Sequence, residues 1–204
     1  MIRGLILVIL SVLSWQVMAL KSSIDDGGYY YIDSNEAGLS YDFEDISTLP
    51  TSSLISLDDD DSQFVNIGFS FKFYGVNYSS VSVTSNGVLS FNSSNSSYGS
   101  TSIPSAIGFS KVGSSILGWW GDLDPEEGGS IRSVVTGSSP NRVFIVQFSN
   151  IEVHNDGGNN TFQFKLFETS NEIEVHYKNI YGESGENYTV GILKDSTIGQ
   201  QVWF

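Results

Sequence analysis

Residues 69–91, reading FSFKFYGVNYSSVSVTSNGVLSF, constrain the fold of this chain more than any other stretch. Phe69, Phe71 and Phe73 alternate with small or charged residues, and Val81 and Val83 alternate with Ser82 and Thr84. Period-two alternation gives a pleated ribbon with one apolar face. Asn86-Gly87 then stands before Val88, Leu89 and Phe91, and Asn-Gly is the dipeptide best suited to the positive φ values of a tight hairpin turn. The stretch reads strand, turn, strand, turn, strand.

The same signal recurs along the chain. Tyr29 to Ile32 predicts a short first strand, and Tyr41 and Phe43, alternating with Asp42 and Glu44, predict a half-buried one. Leu54, Ile55 and Leu57 lead into the acidic run 58–61. Ile116 to Trp120 is a compact apolar run closed by Gly121. Phe144, Val146 and Phe148 share one face, as do Phe162, Phe164 and Leu166, and then Ile173, Val175 and Tyr177. Turns at residues 155–158 and at Ser170-Asn171 separate them, which predicts an antiparallel meander. Tyr188, Val190 and Ile192, then Val202 and Phe204, complete the series. No helical period persists for three turns beyond the amino terminus. The expected fold is all-β, an antiparallel two-sheet β-sandwich of jelly-roll-like character.

At the amino terminus, Arg3 precedes an apolar run from Gly4 to Leu13, and Val17-Met18-Ala19 supplies small residues where a signal peptidase reads. Residues 1–19 read as a secretory signal peptide, and residues 20–204 as one domain. The run is short for a membrane anchor, so no membrane insertion is expected after cleavage. Secretion gives meaning to the Asn-x-Ser/Thr sequons at Asn77, Asn92, Asn95, Asn159 and Asn187.

Charge excludes whole classes of partner. Nine cationic side chains against 23 carboxylates leave a net charge of -14, which opposes binding to nucleic acid or anionic lipid. Such a chain suits a cation. With no cysteine, disulfides, thiolate metal sites and cysteine nucleophiles are excluded together. Asp122, Asp124, Glu126 and Glu127 form the sharpest candidate metal site, because carboxylates at this spacing on a Gly-rich loop can converge on calcium. A solvated acidic turn is the competing reading, here and for residues 58–61. Asp25, Asp26, Asp33 and Glu36 are secondary candidates. His154 and His176, each two residues after a Glu, would supply a zinc set if their strands were neighbours.

Trp119 and Trp120 are candidate ligand-binding residues, flat surfaces for sugar rings or a protein partner. Adjacent strand residues face opposite ways, so at most one of the two is expected in the core while the other is exposed, with a packed core or sheet-face role as the alternative to ligand binding. No Gly-x-Ser-x-Gly nucleophile motif is present, and no catalytic residue is assigned.

Several elements together resemble a known family. They are Tyr31-Ile32-Asp33-Ser34 with Tyr41-Asp42-Phe43, Ile67-Gly68-Phe69-Ser70-Phe71, Phe73-Tyr74-Gly75, Val83 to Gly87, Trp120 to Pro125, and Val190-Gly191-Ile192. The combination resembles a secreted bacterial β-sandwich module, often attached to proteases or adhesins and similar to nidogen-type and plexin-domain-containing ectodomains. The resemblance implies a non-catalytic extracellular module that contacts protein or glycan at a cell surface or matrix. A carbohydrate-binding module, or a self-associating structural subunit of a fibre or surface layer, is the alternative.

Overall fold

The structure, a computed structural model, describes residues 21–182 and 186–203. The signal-peptide reading of residues 1–19 therefore lies outside the described residues. Two antiparallel sheets pack face to face. Among the described residues each sheet has six strands.

In the second sheet, β2 (Ser62–Phe73), β3 (Val76–Thr84), β4 (Val88–Ser90) and β5 (Ser115–Trp120) run as a meander, continued by β11 (Thr189–Leu193) and β12 (Gly199–Val202). The opposite sheet joins β1 (Ser53–Ile55) to β7 (Ser130–Thr136), β8 (Val143–Val153), β9 (Gly157–Phe167) and β10 (Ile173–Asn179), with the two-residue β6 (Leu123–Asp124) beside β8. The aromatic alternation does what the pleat requires: Ile67, Phe69, Phe71 and Phe73 all point inward from β2. They meet Phe148, Phe162 and Phe164 from the facing sheet in one continuous core. The rings of Phe148 and Phe162 stack at 4.6 Å, and Phe73 stacks on Phe91 at 4.5 Å. Contacts of this kind add about 0.5–1.5 kcal/mol each beyond area burial.

Two predicted strands are absent. Residues 29–32 make only an isolated bridge, Lys21 to Ile32, and residues 41–45 belong to no strand. That segment lies instead across the outer face of β8, β9 and β10, where hydrogen bonds from Gln147, Gln163 and Lys165 hold it. Tyr41 is exposed and Phe43 only partly covered, so the alternation there marks no strand.

An unpredicted helix, α1 (Ala106–Val112), follows β4. Seven residues are too few to display a period or to stand alone in water. Ser105 caps it by accepting from the Gly108 amide, Gly113 ends it at φ +67°, and packing does the rest. Val112 joins Val88, Ile103, Leu117, Trp120 and Leu193 in a small second core on the outer face of β5.

Candidate functional site

The Asn86-Gly87 turn between β3 and β4 organises one end of the sandwich. Of the pair only Gly87 has a positive φ, +72°, and a Cβ there would lie 2.5 Å from the Trp119 carbonyl oxygen. Asn86 does a different job. Fully buried, it donates through Nδ2 to Asp60 Oδ1 at 2.7 Å and to the Ser96 carbonyl at 2.6 Å, and its Oδ1 accepts from the Leu123 amide at 2.8 Å. One side chain thus ties the acidic loop before β2 to the acidic loop around β6. Ser85 strengthens the tie through mutual bonds with Asp61, 2.9 Å from its amide and 3.1 Å to its hydroxyl.

Loop 58–61 and loop 122–127 are far apart in sequence, yet their carboxylates meet here. Ligand atoms of Asp59, Asp124 and His154 lie within 4.8 Å of one another, and so do those of Asp59, Asp60 and Asp122. Asp59 belongs to both groups. His154, just past the end of β8, is fixed by its amide donating to the Asp122 carbonyl at 3.0 Å. Its Nδ1 stands 2.9 Å from Asp124 Oδ2 and 3.6 Å from Asp59 Oδ2. Asp124 is itself buried, with its Oδ1 accepting from the Glu126 amide at 2.8 Å.

The electrostatics follow from crowding. Burial raises the Asp122 carboxyl to about 6; the nearby His154 offsets part of this, and the charges of Asp59, Asp60 and Asp124 add to it. Burial also raises Asp59, with Asp124 and Asp60 contributing. The hydrogen bond to Asp124, with the surrounding carboxylates, raises His154 and favours its protonated form. Asp59 Oδ1 is buried and makes no hydrogen bond. The cluster holds more negative charge than its protein partners neutralise.

The four carboxylates expected to converge do not do so. Asp122 and Asp124 enter separate groups, each completed by Asp59 from the other loop. Glu126 and Glu127 are in neither group and are exposed; Glu126 accepts from the Asp59 amide at 3.1 Å, and Glu127 accepts from the Asn155 amide at 3.0 Å. Both brace loops. The spacing of Asp122 to Glu127 carried no signal that Asp59 would be the shared member.

Other candidates separate too. β9 lies between β8 and β10, so the His154 and His176 strands are not neighbours, and His176 bonds Glu174 at 2.8 Å instead. Asp25 accepts from the Tyr74 hydroxyl at 2.6 Å and from the amides of Gly27 and Tyr29, which makes it a turn brace. The reading of Trp120 as a ligand platform is corrected: its ring is wholly buried in the core under α1, and its Nε1 donates to the Ser97 carbonyl at 2.7 Å. Trp119 packs on the inner side and stacks with Tyr188 at 4.7 Å and 14°. Beside that pair, a cavity of about 200 Å³ is lined by Tyr98, Ser100, Asp122, Asn187 and Tyr188 among others.

An antiparallel sandwich carrying a junction of acidic loops at one end is the class of protein that these features define. A family model described as NIDO related matches residues 33–202, and the chain belongs to that nidogen-related family. No curated protein and no solved structure matches it.

Proposed function

We propose that this nidogen-related domain is a secreted, non-catalytic recognition module, stabilised by calcium held between loops 58–61 and 122–124, that contacts protein or glycan at a cell surface or matrix. The observation that carries the cation is Asp59 Oδ1, a buried carboxylate oxygen with no hydrogen-bond donor, set among Asp60, Asp122 and Asp124. An ion there would offset the repulsion that raises Asp59 and Asp122. The available donors are mostly carboxylate oxygens, which favours calcium over softer metals, and His154 is the one nitrogen among them. Calcium would lock the two loops together and present their outer residues in a fixed shape.

Titration calorimetry and thermal melts of the chelator-treated protein test this reading. At calcium about a hundred times its dissociation constant, stability should rise by about 2.7 kcal/mol. For a domain of this size that is a melting shift of about 5–10 °C. Asp59→Asn should abolish most of the shift. No heat and no shift with calcium would remove the ion from the proposal.

A glycan as the contacted partner is favoured by the cavity next to Asp122, where Tyr98 offers an exposed aromatic face beside carboxylate and amide groups. Glycan-array binding lost on Tyr98→Ala would support it. Binding to proteins alone would favour the adhesion reading.

A further inference from the structure

Residues 21–46 contribute no strand to either sheet; the first ladder strand begins at Ser53. They form an arm that wraps the sandwich, and its attachment is unusual in kind. Among the described residues, no main-chain to main-chain hydrogen bond joins the arm to a sheet. Side chains do the holding.

Over the outer face of the β7–β10 sheet, Gln163 reads both main-chain groups of Glu44, accepting from its amide at 3.1 Å and donating to its carbonyl at 2.9 Å. Gln147, the cross-strand neighbour of Gln163, accepts from the Ile46 amide at 2.9 Å and donates to Asp45 Oδ1 at 2.9 Å. Lys165 donates to the Asp42 carbonyl at 2.5 Å, and Lys178 pairs with Asp45 at 3.3 Å. Gln147, Gln163 and Lys165 are each at most 4% exposed, so this polar row is buried by the arm itself. At its other end the arm is held by Tyr74 on Asp25 and by Gln200 on the Ser23 carbonyl.

We infer that this face is a receptor for an extended acidic segment, and that its occupant in an assembly is the arm of a second copy of the chain. An amide side chain offers one donor and one acceptor, which matches the peptide unit whatever its sequence, while Lys165 and Lys178 select for acids. In a chain with nine cationic groups, placing two under Asp42 and Asp45 is specific charge complementarity. A second copy carries that segment by identity, and exchange remakes every contact that the arm makes with this face in cis. Its cost is association together with opening of the hinge, and swapping of an identical element is a low-cost route to a dimer. The hinge is the turn at residues 47–52, closed by the local bonds from the Leu49 amide to the Ile46 carbonyl and from the Ser52 amide to the Leu49 carbonyl.

The natural chain has no cysteine, which makes the test clean. Full chains carrying Asp45→Cys or Lys178→Cys, both at half-exposed surface positions, are made separately and co-refolded near 0.15 M salt, where the repulsion between like-charged copies is screened beyond about 8 Å. They are then treated with a short bis-maleimide. A covalent heterodimer is expected, several-fold above that of a control pair of Asp45→Cys with Asn77→Cys, with a yield that rises with protein concentration. Yield equal to the control overturns the inference. Sedimentation of the unsubstituted chain after the same refolding reads the outcome without any substitution. A dimer fraction rising with concentration supports exchange, and a monomer throughout refutes it.

Discussion

Replacing Asn86 by Gly separates two accounts of the same dipeptide. As a turn former, Asn86 should be dispensable, because Gly-Gly also suits a tight turn and costs at most about 1 kcal/mol in unfolded-chain entropy. As a clamp, Asn86 contributes three buried hydrogen bonds, to Asp60, Ser96 and Leu123. The bond to the Asp60 carboxylate is worth about 1.5–3 kcal/mol and each of the others about 1. Together they predict a loss of about 4 kcal/mol, since Gly also strands the Leu123 amide in the interior. For a domain of this length the melting temperature should fall by about 8–16 °C. Urea unfolding at pH 7, with the slope checked for constancy between variants, measures it directly. A loss of under about 1 kcal/mol would refute the clamp and return Asn86 to an ordinary turn residue.

Three further outcomes follow from named contacts. Gly87→Ala should cost about 2 kcal/mol or more, read by the same urea titration, because the new Cβ meets the Trp119 carbonyl at 2.5 Å while φ is +72°. Trp120→Ala should cost about 3–5 kcal/mol through loss of a fully buried ring, and Trp119→Ala distinctly less, since Trp119 keeps partial solvent contact; paired thermal melts give the ranking. Glu168 is held down to about 2 by its bond to Arg142, from an ordinary 4.5, so the stability it lends is complete above pH 4.5 and fades as pH falls toward 2. The difference in melting temperature between the native chain and Glu168→Gln should therefore shrink steadily across that window, and a constant difference would show that the pair does not act through charge.

Where a residue's fate depends on its immediate neighbours, the sequence was enough. Phe69, Phe71 and Phe73 alternate and are buried, and the three segments around Phe148, Phe164 and Val175 form the expected meander β8-β9-β10. Tyr41 and Phe43 alternate in the same way and form no strand, because what decides their conformation lies far along the chain. Gln147 and Gln163 present side-chain amides where a neighbouring strand would have presented main-chain ones. Helix α1 left only its punctuation, Ser105 and Gly113, since seven residues cannot show a period.

The acidic junction was half legible for the same reason. Both carboxylate runs are visible in the sequence, and their local repulsion makes each look like a solvated turn when taken alone. Their partnership is set by Asn86, which lies between them in sequence and reaches both only after β3 and β4 have paired. Asp59 then becomes the member shared by two groups, while Glu126 and Glu127, nearer to Asp122 along the chain, turn out to brace the loops. Spacing along a loop cannot choose among adjacent carboxylates, because the loop has no period to aim them; a buried amide with three fixed partners can. The ribbon of residues 69–91 therefore does more than fill the sandwich with aromatic rings. By turning at Asn86 just after β3, it places one neutral, fully buried side chain where two negatively charged loops must be held against their mutual repulsion.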